Sequence, residues 1–285
     1  MINGFYLVNK EKNMTSFDVV FQMKKKLKQK KIGHTGTLDP DTEGLLVIAV
    51  GRATKFIPIV SDEKVKEYIA EVTLGIHTDT YDISGEVLQQ CEVDLISDGK
   101  IIEVLNSFLG KSSQIPPIYS AKKVDGKRLY EYARNDIEVE IKPQDIEVFS
   151  IDFIRRIDNN KFEFKCCVSK GTYVRSLIVD ISKKLNTIGT MSALVRTKTD
   201  GFNLNDAKKL DDITKDDIIP LEEYILSKYN KMEVYGKIAV MIKNGAQLRI
   251  RDNIEYPIVY IEQDTKNIIG IYDIVGETTK PIFMM

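Results

Sequence analysis

The stretch GHTGTLDPDTEGLL, residues 33–46, is the most informative part of this chain, and its key residue is Asp39. Its glycines and Pro40 indicate a loop, and the apolar run Leu45 to Val50 that overlaps its end is typical of a strand buried on both faces. Because the loop leads directly into a core strand, we expect the backbone around Asp39 to be hard to move, which suits a catalytic group. The alternative is a purely structural role, in which Asp39 is a turn residue that hydrogen-bonds to its own backbone before Pro40.

The segments on either side of this loop carry both helical and strand periodicity. Upstream, Phe5 to Val8 predicts a short strand, and Thr15 or Ser16 is expected to cap a helix. We expect the apolar face of that helix to be formed by Phe17, Val20, Phe21 and Leu27. Downstream, the patterns predict strands over 66–74, 147–156, 162–169 and 191–198, helices over 98–109, 127–134 and 177–185, and a last helix over 221–229.

The order of these elements predicts an α+β fold with a mixed, largely antiparallel sheet flanked by helices. After residue 230 the chain contains only short β-rich runs separated by turn residues. We therefore predict two domains, a catalytic domain over residues 1–230 and a small C-terminal β-barrel-like domain over residues 231–285. A domain of about 55 residues is marginally stable alone, so the second is expected to dock on the first.

Composition places the chain among ordinary globular proteins, with 285 residues, 43% hydrophobic and 29% charged. No apolar run approaches the ~18 residues of a membrane span, and the N-terminus lacks the pattern of a signal peptide. Three cysteines and two histidines are too few for a disulfide framework or a zinc site, which indicates a reducing, cytoplasmic setting.

Charge is strongly segregated along the chain although the net charge is only −1. Residues 1–60 carry ten Lys and Arg against five Asp and Glu, and residues 111–134 carry six against two. Residues 61–110 carry three against eleven. The two basic segments either form ordinary solvated patches or meet as one anion-binding face.

Several enzyme classes find no support in the motifs, because no Ser/His/Asp triad and no Walker-type glycine loop can be assigned. Residues 33–46 resemble the aspartate motif of the pseudouridine synthases, specifically the bacterial TruB family that isomerises uridine 55 in the T loop of transfer RNA (tRNA). Four further segments resemble the family's motifs in the right order, namely residues 66–80, 114–134, 169–176 and 194–197. The resemblance covers about residues 4–205, and five ordered matches are far more specific than one.

The resemblance implies a role for each matching residue. Asp39 matches the catalytic aspartate, Tyr68 the tyrosine that stacks on the target base, and Arg175 the arginine that pairs with the aspartate. Besides Tyr68, the residues implied to bind the substrate are His34, Tyr173 and Leu194. Without the resemblance, Tyr68 would be interpreted as a core residue, His34 as a hydrogen-bonded loop residue and Arg175 as a surface ion-pair partner.

The basic segments acquire a second interpretation beside that of a solvated surface. Lys24 lies in a lysine-rich run before the Asp39 loop, and Lys122, Lys123 and Arg128 share a segment with two tyrosines. Cations interleaved with aromatic residues suit a folded RNA stem-loop. We hypothesise that these four residues contact phosphates.

The implied reaction is chemically consistent with these residue types. Converting uridine to pseudouridine changes no oxidation state, so we expect neither a cofactor nor a metal. An anionic oxygen can act as a nucleophile or offset charge as the glycosidic bond opens, and a neighbouring guanidinium favours its ionised form. An aromatic face can receive a base that has left its stack. The expected enzyme is a cytoplasmic tRNA pseudouridine-55 synthase that recognises the T stem-loop.

Two alternatives use the same scaffold. One is a non-catalytic RNA-binding protein, against which the intact Asp39 and Arg175 argue. The other is a guide-dependent relative that works in a larger particle, whereas the 111–134 segment and the short tail look more like the self-sufficient bacterial form. We therefore expect a monomer with no guide RNA and no obligate protein partner.

The chain departs from the family near its N-terminus, where Glu11 and Asn13 replace a proline and a glycine.

Overall fold

The computed structural model describes residues 2–61, 65–250 and 254–285, and it has the predicted α+β class. The helices pack on two sheets, and both sheets contribute to one of the hydrophobic clusters. In chain order, the helices are α1 Ser16–Leu27, α2 Ile57–Val60, α3 Asp98–Asn106, α4 Leu129–Ala133, α5 Val174–Lys184, α6 Leu221–Lys228 and α7 Gly236–Lys243. No helix in these described ranges is both long and apolar enough to cross a membrane.

The larger sheet is mixed and mostly antiparallel, as predicted. Its strands are β1 Gly4–Lys10, β2 Ile32–His34, β3 Glu43–Val50, β4 Val65–Leu74, β7 Gly110–Gln114, β10 Gln144–Asp158, β11 Lys161–Ser169, β12 Gly189–Thr199, β13 Phe202–Asn203, β14 Lys208–Lys209 and β15 Ile219–Pro220, while β5 Ile76–Thr78 with β6 Val87–Gln90 and β8 Lys123–Val124 with β9 Lys127–Arg128 form two small hairpins. The main path is β14-β1-β3-β12-β4-β11-β10-β7, and only the β1–β14 and β3–β12 pairs are parallel.

The second sheet lies in the C-terminal part of the chain. Its strands are β16 Asn230–Val234, β17 Leu248–Arg249, β18 Ile258–Glu262, β19 Ile268–Val275 and β20 Thr278–Met284, ordered β16-β18-β19-β20-β17. The first strand of this sheet begins at Asn230, next to the predicted start of the C-terminal domain at residue 231. The division into two domains stays a proposal, because both sheets contribute to one hydrophobic cluster.

That shared cluster explains why Leu45 to Val50 is a continuous apolar run. Along β1 and β3, alternate side chains face opposite sides of the sheet. Phe5 and Leu45 pack with Phe283 and its neighbours from the second sheet, whereas Tyr6 and Leu46 pack against α1. Both faces of these strands are therefore buried.

Strand β12 places the functional loop at the centre of the sheet, since it lies between β3 and β4. Gly44, at the end of the loop, has φ +106° and pairs with Arg196 on β12. A Cβ at Gly44 would lie 2.4 Å from the Arg196 carbonyl oxygen. Only glycine permits this close approach, which joins the loop to the two central strands.

The first helix differs from the expected packing. Val20 and Leu27 are buried, but the side chains of Phe17 and Phe21 are 66% and 50% exposed. Positions 17 and 21 lie one turn apart on their own stripe, and the buried stripe is completed by Val19 and Met23 instead. Of the four residues expected on the apolar face, Val20 and Leu27 therefore belong to the buried stripe and the two phenylalanines do not.

Three further boundaries differ from the predictions. The loop prediction that began at residue 33 included residues of β2, and a hairpin occupies 123–128 before the short helix α4. The helix over 221–229 is not the last, because α7 follows and buries Ala239 and Ile242 against the second sheet. The hairpin is a local structure around the turn residues Asp125 and Gly126, whereas β2 and α7 form against partners in the sheets.

Candidate active site

A cavity of about 230 Å³ lies where the loop before β3, the strands β4 and β12, and the start of α5 converge. The segments 37–42, 120–121 and 171–175 contribute to its wall. Of the residues with a predicted catalytic or binding role, the cavity is lined by Asp39, Tyr68, Tyr173, Arg175 and Leu194.

Asp39 and Arg175 form an ion pair inside this cavity. Arg175 Nη2 lies 2.8 Å from Asp39 Oδ2, although the two residues are 136 positions apart in the chain. The same guanidinium donates to the carbonyl oxygens of Thr80 at 2.9 Å and Tyr119 at 3.0 Å. The Asp39 side chain is 53% exposed and that of Arg175 only 10%. The arginine is thus fixed by three segments, and it presents a carboxylate that a substrate can reach.

The Asp39 loop is held by side chains from outside it. Ser16 Oγ accepts from Leu38 N at 2.8 Å and lies 3.1 Å from the Leu38 carbonyl oxygen. Arg196 donates to the Gly36 carbonyl oxygen at 3.1 Å, and Lys10 Nζ donates to the Pro40 carbonyl oxygen at 3.0 Å. These bonds fix the backbone on both sides of Asp39, so the rigidity predicted from glycine and proline rests largely on tertiary contacts.

Lys10 and Arg196 are fully buried cations. Lys10 Nζ also donates to the carbonyl oxygens of Glu11 at 2.9 Å and Met14 at 2.8 Å, which together with Pro40 use all three of its hydrogens. Asn13, within the segment that Lys10 holds, has φ +62°. This left-handed conformation explains why asparagine can replace the family's glycine there.

Tyr68 presents its ring to the cavity from β4, where it faces Cys166 on β11 and Arg196 on β12. The residue is only 8% exposed, and burial raises the pKa of its hydroxyl despite the opposing effect of the Arg196 guanidinium. The phenol is therefore neutral at physiological pH. A guanidinium can only donate hydrogen bonds, so the phenolic hydrogen stays available to a ligand in the cavity.

Tyr173 and Leu194 also line the cavity. Gln114 fixes the backbone of Tyr173, since its side chain donates to the Tyr173 carbonyl oxygen at 3.1 Å and accepts from its N–H at 2.9 Å. Leu194 is buried on β12 and packs in the same cluster as Tyr68. Tyr68, Tyr173 and Leu194 thus give the cavity an apolar part beside the ion pair, which suits a planar base.

His34 lies outside the residues that line the cavity. It belongs to β2 and pairs with Ile48, so it is anchored in the sheet and not in the loop. Burial, followed by the positive charge of Arg196, lowers its pKa, and its buried Nδ1 has no hydrogen-bond partner within the part of the chain that the structure describes. Its predicted contact with the substrate stays a prediction.

The four basic residues predicted to bind RNA are distributed over two surfaces, and none lines the cavity. Lys123 and Arg128 are exposed and pair in the β8–β9 hairpin, directly after the cavity residues Ser120 and Ala121. Lys122 donates to Gln144 Oε1 at 2.8 Å. These three thus lie close to the cavity along the chain.

Lys24 lies on α1, whose first turn contacts the Asp39 loop through Ser16. Its Nζ is 6.0 Å from the ring centroid of the exposed Phe17, and Lys25 Nζ is 4.4 Å from that of Phe21. The two phenylalanines therefore join the lysines on one exposed stripe of cations and aromatic rings.

Sequence reasoning assigned no role to Lys10, Lys66 or Arg196. Lys66 lines the cavity, and Arg196 contacts both the loop and Tyr68. A signal was present for two of them, because Lys66 precedes Tyr68 by two residues and Arg196 follows Leu194 by two, which places each pair on one face of its strand. Within residues 2–61, 65–250 and 254–285, no group of three or more His, Cys, Asp or Glu side chains is arranged to hold a metal ion.

Several known proteins are similar to this chain in sequence. Residues 24–174 match the family model described as TruB family pseudouridylate synthase (N terminal domain). The tRNA pseudouridine synthase B of Clostridium perfringens (strain SM101 / Type A) is 42% identical over 248 residues, which are 87% of this chain and 83% of that protein. The chain belongs to the TruB family of pseudouridylate synthases. It is an enzyme that isomerises uridine to pseudouridine.

Other TruB relatives match over almost the full length. The tRNA pseudouridine synthase B of Clostridium tetani (strain Massachusetts / E88) is 41% identical over 290 residues, covering 99% of this chain and 98% of that protein. Among solved structures, a chain of the archaeal box H/ACA sRNP Nop10-Cbf5 complex superposes with a TM-score of 0.70 at 20% identity, covering 99% of this chain and 86% of that one. The structural likeness shows that the TruB chain shares the fold of that protein.

Proposed function

We propose that this TruB enzyme isomerises uridine 55 in the T loop of tRNA and that Asp39 is its essential catalytic group. The observation that carries the proposal is the Asp39–Arg175 ion pair of 2.8 Å, which lies in the same cavity as the Tyr68 ring. The printed names of the relatives, tRNA pseudouridine synthase B, support tRNA as the substrate.

The reaction rearranges bonds without oxidation or reduction. The bond between N1 and C1′ breaks, the base turns, C5 bonds to C1′, and the proton leaves C5 while N1 gains one. Three routes use the same carboxylate, which attacks C6 of the base, attacks C1′ of the ribose, or assists a ribose deprotonation. In each route the ion pair with Arg175 holds the Asp39 carboxylate in position before the substrate binds.

The dimensions of the site support a mechanism in which the nucleotide leaves the RNA stack. A cavity of about 230 Å³ with the Tyr68 ring in its wall suits one unpaired base better than a base inside a duplex, which supports eversion of the target nucleotide. Eversion costs a few kcal/mol, which stacking on Tyr68 and contact with Leu194 and Tyr173 would offset.

We propose that Lys24, Lys122, Lys123 and Arg128 contact phosphates of the T stem-loop, with the small second sheet, residues 231–285, as an RNA-binding domain. The exposure of the β8–β9 hairpin beside the cavity supports the first part. We further propose that a cytoplasmic monomer acts without a guide RNA or an obligate protein partner. Relatives that match across almost this whole chain support this organisation.

The experiment incubates the purified protein alone with unmodified tRNA and maps pseudouridine by nucleotide, for the wild type and for Asp39→Asn. We expect modification at position 55 by the wild type and a loss of at least 10³-fold for the variant, because the neutral amide can neither attack nor balance positive charge. Arg175 keeps its bonds to Thr80 and Tyr119, so the fold should be preserved.

The matched control is Asp41→Asn, which removes an exposed carboxylate from the same loop. It should keep its activity within about threefold, since surface substitutions seldom matter. Appreciable turnover by Asp39→Asn would overturn the catalytic assignment, and modification at another position would overturn the assignment of uridine 55.

A further inference from the structure

Lys66 is a cavity residue that the catalytic pair leaves unused. The charged residues lining the cavity are Asp39, Lys66 and Arg175. Asp39 and Arg175 neutralise each other at 2.8 Å, whereas Lys66 has no hydrogen bond or ion pair to any described residue. Among the described residues that line the cavity, Lys66 is therefore the cation without an ion-pair partner.

The position of Lys66 is defined by its strand. Lys66 and Tyr68 are two residues apart on β4, so both side chains leave the same face, separated by about 7 Å along the strand. The Lys66 Nζ lies beside the Asp39 loop, 3.6 Å from where a Cβ on Gly36 would be. If the base of a ligand stacks on Tyr68, Lys66 would therefore contact a different part of the same nucleotide, displaced from the base along β4.

The surroundings of Lys66 favour an anion. The groups that face it are Arg196 on β12 and Lys170 before α5, both positive, and Asp200 after β12. Asp200 is itself bonded to the hydroxyl of Thr35. Burial, followed by the charge of Arg196, lowers the pKa of Lys66 to about 8, so its charge is costly in the free enzyme. A bound anion would remove part of that cost.

We propose that Lys66 is the phosphate-binding residue of this cavity and holds one of the two phosphates that flank the everted nucleotide. The inference rests on the proposed function, because it assumes an RNA substrate whose base lies on Tyr68. A phosphate fits better than a base carbonyl for two reasons. The strand separates Lys66 from the ring that receives the base, and a full negative charge compensates a buried ammonium better than a neutral oxygen does.

The first test measures kcat, KM and their salt dependence on a T stem-loop RNA for the wild type, Lys66→Met and Lys66→Arg. We expect Lys66→Met to raise KM about 10- to 100-fold with kcat changed less than threefold, since a charge-assisted bond that forms before the chemistry is lost. The slope of log KM against log salt concentration should fall by about 0.7, and Lys66→Arg should restore most of both values.

The matched control is Lys100→Met, which removes a positive charge from the exposed surface of α3. It should leave KM and the salt slope unchanged. A salt slope that fell equally in this control would show that Lys66 acts only through the overall charge, and this would overturn the proposal.

The second test changes the RNA and leaves the protein folded as it is. Two stem-loops carry one uncharged methylphosphonate, either 5′ or 3′ of the target uridine, with a 2′-deoxy sugar on the preceding nucleotide to prevent cleavage. Each is compared with the same deoxy-substituted RNA that retains the phosphodiester. One neutral linkage should raise KM for the wild type about 10- to 100-fold and add less than threefold for Lys66→Met.

The outcomes separate the two proposals. A wild type that modifies none of the RNAs contradicts the proposed function. A wild type that modifies the parent RNA but tolerates both neutral linkages contradicts the role of Lys66. Equal additional losses in the wild type and Lys66→Met, or a fall in kcat with constant KM, contradict that role as well.

Discussion

At the scale of single residues, the site is built from cations that differ in their task. Arg175 is paired with Asp39 and bonded to two carbonyl oxygens, whereas Arg196 is fully buried and donates to carbonyl oxygens of the Asp39 loop and of Leu45 on β3. A buried guanidinium that satisfies carbonyl oxygens stabilises one loop conformation, because its removal leaves several acceptors without donors. Its positive charge also opposes the effect of burial on the pKa of the Tyr68 hydroxyl.

Tyr68→Phe tests whether that phenol carries a proton. The ring is retained, so we expect KM to stay within about threefold, and kcat to fall about 100-fold because a proton donor is lost. The pKa of the hydroxyl is raised by burial, so it should act as a donor and add no decrease in kcat below about pH 10. Single-turnover kinetics between pH 6 and 9 measure this. An unchanged kcat would limit Tyr68 to stacking.

At the scale of elements, the Asp39 loop depends on partners far away in the chain. Lys10 ends β1, Ser16 begins α1, and Arg196 lies on β12, which is more than 150 residues later. The loop is therefore as rigid as the elements that anchor it. Helix α1 links two functions, since its first turn holds Leu38 and its exposed stripe carries Phe17, Phe21 and the lysines.

Lys10→Met tests this anchoring. The apolar side chain leaves three partly buried carbonyl oxygens without their lysine donor, so we expect the free energy of unfolding to fall by about 1–3 kcal/mol. We also expect kcat to fall at least tenfold, because Pro40 is the residue next to Asp39. Urea unfolding and single-turnover rates provide the two measurements.

Lys12→Met is the control, since its side chain is 45% exposed and makes only a 3.6 Å ion pair with Glu43. Both quantities should stay near those of the wild type. A Lys10→Met enzyme with lower stability but an unchanged rate would show that Ser16 and Arg196 hold the loop without the lysine.

At the scale of the whole molecule, the two sheets share an interior. Phe283 on β20 packs edge-to-face on Phe56 with the ring centroids 4.8 Å apart, and both belong to the cluster that includes Phe5 and Leu45. Packing of this kind couples the stability of the catalytic sheet to that of the C-terminal sheet. The docking predicted from the short length of the tail is thus present as a common core.

Phe283→Ala tests the coupling. Loss of a buried aromatic ring should lower the free energy of unfolding by about 3–5 kcal/mol. Because the cluster is shared, we expect faster amide exchange in residues 4–10 and 43–50 as well as in the second sheet. Hydrogen-exchange mass spectrometry measures this, with Ile274→Ala, 48% exposed, as the control. Faster exchange confined to residues 230–285 would indicate two independent domains.

The elements that the sequence predicted correctly have strong periodicity of their own. The buried strand β3, the strand β4 and the helix α5 lie where their patterns indicated. The apolar face expected for α1 matches the buried stripe only at Val20 and Leu27, since two helical stripes of apolar residues compete and only the packed structure shows which one meets β1 and β3. Helix α7 was missed because its burial depends on the second sheet.

The sequence by itself determined the family, the fold class and the loop that carries Asp39, because these follow from local residue order and from ordered motifs. Tertiary structure alone decided the environment of Asp39, including the 2.8 Å contact with Arg175, the anchoring by Lys10 and Arg196, and the unpaired Lys66 in the described cavity. The physical reason is that hydrogen bonds and charges act through distance in space, and residues 136 positions apart become neighbours only when the sheet assembles.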